Sequence, residues 1–106
     1  MGAAASLDGR ATMASRWRRR RMCVLIADSP CPAALRQVSA AGAFLETNAR
    51  PLLGAKVELH HPEAGAIEAQ VSILADDGIG LAYRTSERSV AFALAAIAAD
   101  MSRPAA

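Results

Sequence analysis

Residues 55–60 and 67–73 alternate apolar and polar side chains with a period of two, and that alternation confines these two stretches to strands. Ala55, Val57 and Leu59 alternate with Lys56, Glu58 and His60. After the turn sequence His61-Pro62-Glu63-Ala64-Gly65, the set Ile67, Ala69, Val71 and Ile73 alternates with Glu68, Gln70 and Ser72. Successive side chains of a strand leave by opposite faces, so each apolar set lines one inward face. Asp76-Asp77-Gly78 is a hairpin signal, and Ile79, Leu81 and Tyr83 form the returning inward face.

The segments before and after extend this pattern. Met22-Cys23-Val24-Leu25-Ile26-Ala27 is apolar on both alternations, which predicts a strand buried on both faces. Ser29-Pro30-Cys31-Pro32 reads as a turn, because its prolines remove donors and fix the backbone. Residues 34–38 and 43–47 are the next strands, separated by Ser39-Ala40-Ala41-Gly42. Arg50-Pro51 marks a loop that Gly54 closes. Short strands at regular turns suggest a small antiparallel barrel.

At Ser86 the period changes. Ser86 is a helix N-cap and Glu87 an acidic first-turn residue. Val90, Leu94, Ile97 and Met101 follow at helical spacing and predict the face that covers the barrel. Phe92, with Ala95, Ala96 and Ala99, is then expected outside, as a flat apolar surface for self-association or partner docking. Arg103-Pro104 ends the helix.

The 106 residues suffice for one domain, assigned to residues 16–101 between a disordered tail at 1–15 and a short tail at 102–106. Hydrophobic residues make up 53%, many of them alanine, and aromatics only 4%, too few for the stacking platforms of single-strand nucleic-acid binders. Net charge is +2, but residues 16–21 hold five of the twelve basic side chains, a local anion site or basic arm. Cys23 and Cys31 form no metal-ligand spacing and read as free thiols, Cys23 packing as a small hydrophobe. No stretch reaches the roughly 20 apolar residues of a membrane span. The run 22–27 is shorter than the ~7–15 apolar residues of a secretion signal. Met1-Gly2-Ala3-Ala4-Ala5-Ser6 fits a loose myristoylation pattern but reads as an alanine-rich start. The expected location is the cytoplasm.

Two short motifs carry the chemistry. Arg16 and Arg20 stand four apart within Arg16-Trp17-Arg18-Arg19-Arg20-Arg21, and one strand later comes Gln37-Val38-Ser39-Ala40-Ala41-Gly42. An Arg-x-x-x-Arg followed by polar-x-Ser-x-x-Gly resembles the signature of the bacterial PilZ domain, whose pattern has Asp or Asn where this chain has Gln37. Gly78-Ile79-Gly80-Leu81-Ala82-Tyr83-Arg84 is similar to the family's late strand, so the resemblance covers roughly residues 16–101. It implies a six-stranded antiparallel β-barrel with a C-terminal helix, and cyclic di-GMP as ligand. Arginine suits that ligand, because its planar fork bonds phosphate or guanine O6 and N7 in bidentate fashion and stacks on a base. By resemblance Arg16 and Arg20 hold the nucleotide, Ser39 contacts it, Gly42 keeps the turn open and Gln37 meets a guanine edge. Gln37 keeps a carbonyl acceptor but is one methylene longer than Asn and uncharged.

The remaining polar residues suggest no catalysis. His60 and His61 are neighbours and face opposite ways on a strand, which reads as a solvated edge. Asp76-Asp77 belongs to a hairpin turn. There is no nucleophile–base pattern and no Gly-rich phosphate loop, so no enzyme is expected. The resemblance implies a stand-alone receptor that relays cyclic di-GMP to a partner protein. The alternative is an adaptor of the same fold that acts by protein contacts without nucleotide.

Overall fold

A computed structural model describes residues 22–101; the arginine run and both tails lie outside the described residues. The described chain forms β1 (Met22–Ile26), β2 (Pro30–Val38), β3 (Gly42–Glu46), β4 (Lys56–His61), β5 (Gly65–Ala75), β6 (Gly78–Ala82) and a helix, α1 (Glu87–Met101). All pairings are antiparallel and the sheet closes on itself in the order β1-β2-β3-β6-β5-β4. The expected architecture, a six-stranded antiparallel barrel with one C-terminal helix, is present. Closure leaves no sheet edge unpaired and gathers Leu25, Leu45, Leu59 and Ile79, each fully buried, into one interior with Val71 and Leu81.

Several local expectations are corrected. β1 is buried on one face only: Cys23 and Leu25 point inward, whereas Met22 and Val24 are exposed. A barrel strand has one face towards the core and one towards solvent, and apolar side chains on the outer face do not change that. Pro30, Cys31 and Pro32 are not a turn but the first residues of β2, with Pro30 opposite Ile26 and Pro32 opposite Val24. The Pro32 carbonyl accepts a bond from Thr47 Oγ1 (2.9 Å), so that edge of β2 looks past the end of β3. The missing proline donors therefore cost no ladder bond. Ile73 does not continue the inward row of Ile67, Ala69 and Val71 but is exposed, because the β5–β6 register shifts between Val71 and Ile73.

The helix lies the other way round. Ser89, Phe92, Ala93, Ala96 and Ala99 are buried, while Val90, Leu94, Ile97 and Met101 are exposed. Between Arg88 and Asp100 only Ser89 is polar, so the helix has apolar side chains on every side and periodicity alone does not choose the buried face. The choice falls to shape. Alanines let the helix axis come close to the barrel, and the one large ring fits between two others: Phe92 stands edge-on to His61 (6.1 Å between centroids) and to Tyr83 (6.3 Å).

The N-cap is as expected and goes further. Ser89 N donates to Ser86 Oγ (3.2 Å) and Ser86 N donates to Ser89 Oγ (2.8 Å), a reciprocal capping box with serine in both places. His61 also departs from expectation. It is buried, and its Nδ1 accepts from the backbone of Glu63 and Ala64 (3.0 Å each), closing the β4–β5 turn. Only His60 is on a solvated face, beside Glu58 at 2.8 Å.

Candidate functional site

Gln37, Ser39 and Gly42 fall at the β2–β3 connection, and all three border one outer-face cleft of about 530 Å³. Phe44, Ser72, Ile73 and Gly80 complete its wall. Gln37 reaches the surface through a bulge. In the β2–β3 ladder Leu35 pairs with Leu45 and Gln37 with Phe44, so Arg36 is the extra residue. Leu35 points inward and Val38 packs against the core, with Arg36 and Gln37 both outward between them. Strict alternation would have turned Gln37 into the barrel. The second bulge, at Ser72 of β5, lies on the opposite wall of the same cleft.

The turn between these strands is held tightly. Ser39 N donates to the Gly42 carbonyl (2.8 Å) and Tyr83 N to that of Ala41 (3.0 Å). The Ser39 hydroxyl accepts from Ala41 N (3.2 Å) and donates to the Gly42 carbonyl (3.4 Å), so much of its capacity is spent inside the turn. The Tyr83 hydroxyl donates between the carbonyls of Ser39 (2.5 Å) and Gly42 (2.9 Å) in a three-centre arrangement. Gly42 is required by the backbone: a Cβ there would collide with the Leu81 carbonyl oxygen of β6.

Burial pushes the Tyr83 phenol up to about 12. The fold thus favours the neutral phenol, so its contribution is complete below the ordinary value of 10 and is lost as pH rises towards 12. Tyr83 is the single tyrosine of the chain. Its phenolate absorbance should titrate with a midpoint near 12, and a midpoint near 10 would show a hydroxyl free of the turn. Tyr83→Phe should remove the part of the alkaline loss of stability that falls between those two values.

Beside the cleft, Arg36 bonds Asp77 (2.8 Å) and Glu46 (3.1 Å), and its guanidinium lies 4.1 Å over the centre of the Phe44 ring. Its bond to Asp77 raises the Arg36 pKa, and the same bond lowers that of Asp77. Arg50 braces the β5–β6 hairpin from below, donating to the carbonyls of Asp76 (2.8 Å) and Gly78 (3.3 Å). No residue lining the cleft among those described is charged. Of the five residues assigned by sequence, Gln37, Ser39 and Gly42 are brought together; Arg16 and Arg20 lie outside the described residues.

Sequence reasoning missed Arg36, Phe44, Ser72 and Tyr83. Arg36 and Phe44 flank the motif in sequence and could have been noticed, but Ser72 and Tyr83 reach it only through barrel closure. A wider hollow of about 680 Å³ opens across β4, β5 and β6, lined by Lys56, Glu58, Glu68, Gln70 and Arg84 among others. Glu58 and Glu68 stand directly opposite each other there, with cations alongside, as on an ordinary solvated sheet face. Set against family models, curated proteins and solved structures, the chain matches none of them.

Proposed function

We propose that the protein is a small receptor for cyclic di-GMP that relays the nucleotide signal to a partner protein. One observation carries this reading: the residues of the Ser-x-x-Gly motif and Gln37 border a single open cleft on a closed six-stranded barrel. The arginine segment is attached close to that cleft. Met22 stands opposite Ala34, and Gln37 lies three residues further along β2, about 10 Å away. Arg20 precedes Met22 by two residues, a span of at most about 7 Å before its own side chain is counted. The cleft would supply shape and neutral hydrogen bonding, while Arg16 and Arg20 would neutralise the two phosphates.

The second reading, an adaptor without nucleotide, has its own observation. Glu46 and Asp77 engage Arg36, the cation next to Gln37, so that guanidinium is already held by two carboxylates. Calorimetric titration with cyclic di-GMP separates the two. Binding should be saturable and lost in Arg16→Ala and Arg20→Ala. Gln37→Asp should tighten it, since a hydrogen bond to a charged acceptor contributes roughly 1.5–3 kcal/mol, about ten- to a hundredfold. No heat at high micromolar nucleotide would leave the adaptor reading in place.

A further inference from the structure

The exposed face of α1 is apolar from Val90 to Met101. Val90, Leu94, Ile97 and Met101 are 41%, 62%, 41% and 79% exposed, and the exposed Ala91 and Ala98 flank them. Their spacing of four, three and four is that of a coiled-coil seam, in which each side chain enters a gap on a facing helix. It is also a palindrome: read from either end it is the same. A second copy laid antiparallel would therefore set Val90 against Met101 and Leu94 against Ile97, each contact occurring twice about a two-fold axis.

We propose that this seam docks on the same seam of a second copy, making an antiparallel helix pair that joins two barrels. Four features of the helix select that occupant. The face carries no charge between Arg88 and Asp100, so nothing along it must be desolvated or matched by a partner of opposite charge. The flanking alanines allow the two axes to approach to the lower end of the usual ~8–10 Å. Antiparallel pairing brings Asp100 to the neutral Glu87–Arg88 end of the other copy and opposes the two helix dipoles, whereas parallel pairing sets Asp100 against Asp100. The four side chains expose on the order of 400 Å² per copy, so a pair with its alanines covers on the order of 1,000 Å², the lower bound of a specific interface. The pairing does not depend on nucleotide binding.

Sedimentation of the full chain from low to high micromolar concentration should show a reversible monomer–dimer equilibrium. Leu94→Glu, at an exposed site, should leave the melting curve of the monomer unchanged. It should weaken the dimer on the order of a hundredfold, because a carboxylate would have to be buried in the seam. For orientation, Leu94→Cys and Ile97→Cys chains are mixed in a Cys31→Ser background. The mixed disulfide should form faster than either like pair. A chain that stays monomeric throughout, a dimer indifferent to Leu94→Glu, or a dominant 94–94 linkage would each overturn the proposal.

Discussion

Phe92→Ala should destabilise the domain by about 3–5 kcal/mol, the usual cost of removing a buried phenylalanine ring. Against a total of about 5–15 kcal/mol for a domain of this kind, that is enough to unfold much of it at moderate temperature. Phe92 is 3% exposed and is the only aromatic side chain of the helix, set between His61 and Tyr83. Its loss leaves a cavity that alanine neighbours cannot fill. Leu94→Ala, at a site 62% exposed, should cost less than about 1 kcal/mol in the monomer. Urea unfolding of both variants at low concentration decides the matter. The reverse ranking would mean that α1 seats on the face of Val90, Leu94, Ile97 and Met101.

Gly42→Ala should cost about 1–3 kcal/mol and loosen the β2–β3 turn, because a single methyl group must push β3 away from the Leu81 carbonyl. Gly42 pairs with Ala82, next to the Tyr83 that holds the turn, so the disturbance falls on the cleft. Ser39→Ala, by comparison, removes exposed hydroxyl bonds within the turn and should cost about 1 kcal/mol or less. Denaturation curves together with amide exchange over residues 38–44 measure both effects. If Gly42→Ala kept wild-type stability while losing nucleotide binding, the glycine would be there for a ligand and not for the sheet.

The barrel was legible because it rests on local rules. Alternation in 55–60 and 67–71, the Asp76-Asp77 turn and the Ser86 cap each act over a few residues, and the structure keeps them, whereas His61 joins the inward row and Ile73 leaves it. The break at Ser39 and Gly42 was legible for the same reason: small residues interrupting strand-formers mark a turn wherever they occur. What lies on either side of that turn was not. Two bulges, at Arg36 and Ser72, shift the faces of β2 and β5 by one residue, and a shift of one inverts which side chains meet solvent. Strand period gives no sign of them, since they are fixed by the register needed to close the barrel. Tyr83 could be read as inward-facing, but its hydroxyl meets a turn some forty residues earlier only after β6 pairs with β3.

The helix divides the two kinds of information most plainly. Its residues determine that a helix forms, where it starts and that it is apolar on more than one side. Which side is buried depends on the fit between a surface and the barrel, a property of neither sequence segment by itself. Small side chains and one ring allow closer approach than a row of branched ones. The tertiary structure therefore took the alanine–phenylalanine face and left the regular row of Val90, Leu94, Ile97 and Met101 on the outside.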